Sequence, residues 1–233
     1  TVLAPVGVAA ITGTVAMRAT LGPEPLFLVT QPIAIGNWDY LLFALLGLGA
    51  AALGIVTMLG VTSIERVLRR HAVPGWLRPI LGGVVIGLIA LVFPQVLGSG
   101  HGAVQHVLGH DFLPLTLLAP VAAKALASAV SVGAGFRGGL FSSSLFLGSL
   151  YGGAAAGFMA WAAPEIHLDQ LAYMIVGMGA VAASIVGAPV TMILLILELT
   201  ADFYVAMGVM VGVIVASVVT RLVFGYSFAT WRF

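Results

Sequence analysis

The residues whose types and spacing could do chemistry lie between Ala134 and Gly153, in the stretch AGFRGGLFSSSLFLGSLYGG. It opens with Arg137-Gly138-Gly139 and passes through Leu140-Phe141-Ser142-Ser143-Ser144. It then runs on as an apolar segment with small residues at Gly148, Ser149, Gly152 and Gly153. What this run offers is backbone. A helix that starts near Leu140 presents amide N–H groups with no intrahelical acceptor, at the positive end of its dipole. A small anion is the natural ligand of such a start. Glycine-rich segments also serve close helix packing, and Gly138-Gly139-Leu140-Phe141 fits both readings. The three serines weigh toward the first, because a lipid-facing turn would leave them without partners.

Lys124 is a cation inside an apolar span and must face protein or water. It either makes a structural contact with a carbonyl or a counter-charge, or adds to a positive field that attracts anions. Glu198 stands near the end of a short apolar segment with Asp202 one turn on, which suits a helix-end contact or a proton relay. His101, His106 and His110 include an i,i+4 pair, but no cysteine or carboxylate cluster completes a zinc site, so no metal or other cofactor is expected. No nucleophile–base pair, phosphate loop or paired hydrolytic carboxylates occur, and an enzyme is not expected.

The elements that must position these residues are membrane helices. The chain has 233 residues, 61% hydrophobic and 7% charged, whereas a soluble domain carries roughly 25% charged residues. It cannot cover itself with a water-facing surface, and several apolar runs reach or approach the ~20 residues that span a bilayer. A net charge of +1 and the lack of a basic patch interleaved with aromatics give no reason to expect nucleic acid. Without cysteine, disulfides and thiolate sites are excluded. Thr1-Val2-Leu3-Ala4-Pro5 reads as if cut into a helix, and a longer polypeptide is expected.

In order, the expected elements are an apolar segment over 1–20 closed by Arg18, a Pro-rich connection from Gly22 to Pro32, and a long helix from about Trp38 to Arg70. Asn37 is its expected N-cap, with Asp39 in the first turn. Gly47, Gly49, Gly54 and Gly60 allow close neighbours on that helix. The cluster Glu65-Arg66-Val67-Leu68-Arg69-Arg70-His71, with Arg78, is the densest basic region and points to the cytoplasmic side. A span from Pro74 to Pro94 follows, with Gly83 and Gly87 as a small-xxx-small pair. Further helices are expected over 115–132, from the Gly/Ser stretch to about Ala163, over 171–186 up to Gly187-Ala188-Pro189, over 190–199, and over 204–224. Gly208, Gly212 and Ala216 give the last a smooth face. Segments of unequal length, broken at Gly or Pro, describe re-entrant helices, which persist at membrane depth only when buried in protein or lining a watery path. A channel or transporter follows.

Three stretches resemble the CLC family of chloride channels and chloride/proton antiporters. They are Lys124 to Gly153, with Gly139-Leu140-Phe141-Ser142-Ser143 in the place of the family's G-x-F-x-P signature; Val176-Gly177-Met178-Gly179-Ala180 through Ala188-Pro189-Val190-Thr191 to Leu197-Glu198-Leu199-Thr200; and Gly225-Tyr226-Ser227-Phe228-Ala229-Thr230. The resemblance implies an all-α polytopic membrane protein with broken and re-entrant helices. Residues 1–20 would be the last helix of a first repeat and 37–233 a second, inverted repeat, with no soluble domain. It implies chloride, or another small anion, bound at Gly139, Leu140, Phe141 and Ser142, chiefly by the backbone N–H groups of Leu140 and Phe141. Ser143, Ala229 and Tyr226 would line the pore and Lys124 would act electrostatically. Two departures stand out: Ser143 replaces the signature proline, and Ala229 falls where the family has a pore tyrosine, Tyr226 lying three residues earlier. The partners implied are the transported anion, the lipid bilayer of a plasma or bacterial inner membrane, and a second subunit. The dimer contacts would come from 1–20, 190–199 and 204–224, with the Gly208/Gly212/Ala216 face either a seam there or packed within the chain. The rival readings are a cation-coupled transporter of a small organic substrate, which calls for several intramembrane carboxylates, and a non-conducting membrane scaffold.

Overall fold

The computed structural model describes residues 3–22, 33, 35–36, 38–97, 114–136, 138, 140–162, 168–200 and 202–225. Among them the chain forms α1 (Leu3–Leu21), α2 (Asp39–Arg70), α3 (Leu77–Val92), α4 (Pro114–Gly133), α5 (Leu140–Ala162), α6 (Gln170–Val186), α7 (Pro189–Thr200) and α8 (Phe203–Phe224), with a 3-10 turn at Pro94–Val96. Four of these, α2, α4 (over Thr116–Gly133), α5 and α8, are long and apolar enough to cross a membrane. The protein is an all-α polytopic membrane protein, as its composition requires.

Residue chemistry sets the helix ends. Asp169 caps α6 by accepting from the N–H groups of Leu171 and Ala172, and Asp202 caps α8 by accepting from Tyr204 and Val205. Gly187 (φ 80°) and Gly225 (φ 77°) end the same two helices in the left-handed region, which costs a residue without Cβ little. The expected N-cap of α2, Asn37, lies outside the described residues. The position before the helix is Trp38, which makes no side-chain cap, and the carboxylate of Asp39 reaches back to the N–H of Gly36 at 2.7 Å instead.

The centre of the fold is the antiparallel pair α5/α6. A Cβ at Gly148 would collide with the backbone of Gly177 and Met178, and one at Gly152 with that of Tyr173 and Met174, so these helices touch backbone to backbone. Helices α2 and α8 pack on α6 and run parallel to it. The Phe43 ring packs tilted against that of Tyr173 at 5.0 Å and fills the space over Gly208, while Ser184 Oγ donates to the carbonyl of Ala50 at 3.3 Å. The hydroxyl of Tyr173 donates to Asp39 Oδ1 at 2.8 Å and Tyr151 Oη to the carbonyl of Leu46 at 3.0 Å, fixing both central helices to α2.

Of the two readings of the Gly208/Gly212/Ala216 face, subunit seam and internal packing, the structure shows the second. The face is buried within the chain, where Gly208 meets Phe43, Gly212 meets Val176, and a Cβ at Gly47 would stand 2.6 Å from the Gly212 carbonyl. A smooth face is used where backbones come closest, and that place is the core. On α3 the close contact is made by Gly82, the buried glycine against Ala134 and Phe136; of the pair Gly83 and Gly87, the first is exposed with Phe136 at ordinary contact distance and the second faces open space.

Candidate anion site

The site is built where α4 ends and α5 begins. Helix α4 closes on a left-handed glycine: Gly135 has φ 92°, its N–H bonds to Val132 O, and the N–H of Phe136 reaches Ser131 O. This Schellman arrangement stops the helix and turns the chain, and within four residues the chain re-enters a helix at Leu140. Because α5 runs opposite to α2 and α6, its start lies level with their far ends. Leu140 is buried in one apolar cluster with Val61, Ala129, Val132 and Ile185.

Among the described residues, no carbonyl or side chain accepts a hydrogen bond from the amides of Leu140 or Phe141. Burial with unmade donors is costly unless another acceptor is supplied. The side chain of Leu140 is buried while that of Phe141 is 38% exposed, so the turn stands at an edge of the packed body. The serines do not quench these amides. Ser144 Oγ donates to Phe141 O at 2.6 Å, and Ser128 Oγ on α4 donates to Ser143 Oγ at 3.1 Å. Ser142 is half-buried beside them.

Lys124 is almost wholly buried, 2% exposed. Its Nζ donates to Val96 O at 3.0 Å and stands 5.4 Å from the centre of the Phe146 ring. The carbonyl contact belongs to the first of its two expected roles. Lys124 and Ser128, one turn apart on α4, thus face Phe146 and Ser143 on α5. Sequence reading missed Ser128, although its i,i+4 relation to Lys124 marks the same helix face, and it had no means to find the Val96 carbonyl, 28 residues away. Gly139, Tyr226, Ala229 and the three histidines lie outside the described residues. Glu198 is exposed on α7 and makes no hydrogen bond or ion pair among the described residues, so the expected helix-end contact is absent, while Asp202 serves as the α8 cap. No group of three His, Asp or Glu side chains stands together among the described residues.

The family model described as voltage gated chloride channel matches residues 1–221. The chain belongs to that family, the CLC proteins. Similar relatives include a putative chloride channel protein ClcB-like of Ralstonia nicotianae, 31% identical over 216 residues that cover 91% of this chain and 49% of the relative. An H(+)/Cl(-) exchange transporter ClcA of Vibrio campbellii is 28% identical over 94% of this chain and 47% of its own length. Chloride channel protein CLC-e of Arabidopsis thaliana is 31% identical over 91% of this chain and 32% of its own. The crystal structure of a slow cyanobacterial Cl−/H+ antiporter superposes with a TM-score of 0.84 at 25% identity, over 95% of this chain and 52% of that one. A eukaryotic CLC transporter shares the fold with a TM-score of 0.67 at 20% identity, over 84% and 35%. The CLC chain described here spans a third to about half the length of these relatives.

Proposed function

We propose that this chain forms the C-terminal part of a CLC-type pathway for chloride or another small anion, with the anion held by the amides of Leu140 and Phe141. The observation that carries the reading is the start of α5: a helix N-terminus at the edge of the packed body, Leu140 buried and Phe141 exposed, whose first amides meet no protein acceptor among the described residues. Partial charges on N–H groups replace part of an anion's hydration without a full cation that would trap it, so binding is modest and release fast. Ser142 and Ser143 give the path a polar wall, Lys124 adds a positive field from behind Phe146, and Gly139 belongs to the site by family resemblance. Tyr226 and Ala229 belong to the pore by family resemblance.

In this reading residues 1–20 close the first repeat and 37–233 make the second, and the protein works as a dimer in a plasma or bacterial inner membrane. The exposed faces of α1, of α7 (Val190, Leu194) and of α8 (Ile214, Val218) support the dimer, since they leave apolar surface uncovered within the chain. Relatives named as channels and as exchangers fit the chain equally, and both modes need the same central site.

The test is halide flux through the full-length protein in liposomes, with and without a pH gradient. Leu140→Pro and Phe141→Pro each delete one donor in a first turn that tolerates proline. Flux should fall about tenfold or more for each, the range expected for a lost hydrogen bond to a charge. Unchanged flux in both variants rejects the site.

A further inference from the structure

The chain carries 9 Lys and Arg residues, and four of them flank the turn that joins α2 to α3: Arg66, Arg69 and Arg70 in the last turns of α2 and Arg78 in the first turn of α3. Nothing in the anion pathway described above uses them. Helix α2 has 32 residues, about 48 Å at ~1.5 Å each, against a hydrocarbon core of about 30 Å. Its last turns therefore stand in the headgroup region. Arg66, Arg69, Arg70 and His71 are exposed there. Glu65 is the one acid among them, and Arg69 neutralises it at 2.8 Å. That leaves Arg66 and Arg70, one turn apart on one face, without a counter-charge among the described residues.

The turn is closed firmly. Ala72 sits at φ 48°, in the left-handed region that disfavours a Cβ, and the N–H groups of His71, Ala72 and Val73 bond back to Val67, Arg69 and Leu68. Arg78 Nε donates to Val73 O at 2.9 Å, so its guanidinium is folded back toward the end of α2. Beside these cations lie two uncovered apolar groups, Trp76 (71% exposed) and Val67 (54% exposed). An indole next to guanidinium groups at a helix end suits the membrane interface, where one part of a ligand is charged and the rest is hydrocarbon.

We infer that the α2–α3 turn is a binding site for the phosphate headgroup of an anionic phospholipid, held by Arg66, Arg70 and Arg78 with Trp76 against its glycerol and upper acyl carbons. Arginine gives forked donation to phosphate oxygens. The basic character of the turn assigns it to the cytoplasmic leaflet, where such lipids supply the counter-charge. A free phosphate or phosphorylated metabolite would meet the same guanidinium groups, but it would leave Trp76 and Val67 in water, which favours the lipid. The site also touches the region that builds the start of α5: Ile64 packs on Gly133, and Gly82, one turn after Arg78, on Ala134 and Phe136.

The experiment uses the full-length protein in mixed micelles of phosphatidylglycerol and phosphatidylcholine, with retained lipid read by native mass spectrometry. Phosphatidylglycerol should be retained in preference, and R66Q/R70Q/R78Q should lower its retention roughly tenfold or more. R66K/R70K/R78K should keep a substantial part, and R221Q, a basic residue outside the turn, should change nothing. A triple Gln variant that retains phosphatidylglycerol as before overturns the assignment, and so does complete displacement of the lipid by inorganic phosphate, which would make this a soluble-anion site. Should the triple variant fail to fold, quenching of tryptophan fluorescence by brominated phosphatidylglycerol decides on the unaltered protein. The quenching should exceed that by brominated phosphatidylcholine, and this excess should disappear in W76F, where the remaining three tryptophans still fluoresce; equal quenching by the two lipids rejects the site.

Discussion

The starts of α6 and α8 and the start of α5 treat the same physical problem in opposite ways. Each helix begins with amides that no carbonyl of its own can satisfy. Asp169 and Asp202 solve this for α6 and α8, each accepting from two first-turn N–H groups. At α5 the nearest hydroxyls are serines, and their hydrogen bonds lie elsewhere: Ser143 accepts from Ser128, and Ser144 donates to the Phe141 carbonyl. The starts of α2 and α3 also lack a side-chain cap, but the first amide of α2, that of Asp39, bonds to the carbonyl of Gly36, and Trp76 before α3 is exposed, so water or headgroups can serve there. At α5 Leu140 is buried and Phe141 exposed. A start whose first amides meet no acceptor among the described residues, beside two capped ones, is the contrast on which the proposed anion site rests.

The largest effect should come from disturbing the frame that holds this contrast in place. Gly148→Leu or Gly152→Leu forces a side chain into the backbone of α6, and a loss of about 3 kcal/mol or more is expected. Thermal unfolding in detergent, together with the yield of folded protein, measures it. Lys124→Met leaves the carbonyl of Val96 without its donor and removes the field behind Phe146. Stability should fall by about 2 kcal/mol and the halide dissociation constant should rise; a variant that loses stability with halide binding intact would reduce Lys124 to a strut.

Asp169→Ala and Asp202→Ala should each cost about 1 kcal/mol of stability while leaving halide flux per folded molecule unchanged, measured by unfolding and by liposome efflux. This sharpens the comparison, because the capped starts are then structural and the bare one functional. The smallest effect is expected at the hinge between α4 and α5. A double-mutant cycle of Ser128→Ala and Ser143→Ala should give a coupling of about 0.5–1 kcal/mol. Zero coupling would mean that the serines are free to face the anion path.

Much of this was legible in the sequence where the signal is local. Gly187 and Gly225 end helices as glycines after apolar runs should, Asp39 opens α2, and the Gly-Gly-Leu-Phe-Ser run begins a helix at Leu140. What could not be read is pairing between distant segments. The bond from Tyr173 to Asp39 joins residues 134 apart, and nothing near either names the other. The small-residue face of α8 has the same spacing whether it meets a second subunit or α2, and only three-dimensional packing sends it to Phe43 and Gly47. Gly82 and Gly83 are neighbours in sequence but about 100° apart around the helix, so a one-residue error changes the contacting face. Lys124 was recognisable as needing a partner, yet a carbonyl acceptor leaves no trace in residue type.

The most direct test of the central claim is a crystal structure of the full-length protein soaked in bromide. Anomalous scattering should place a bromide ion within about 3.5 Å of the Leu140 and Phe141 amide nitrogens, at the donor distance of a weak N–H contact to a large anion. Amides occupied by carbonyl oxygens, with no anomalous peak in front of α5, would contradict the account.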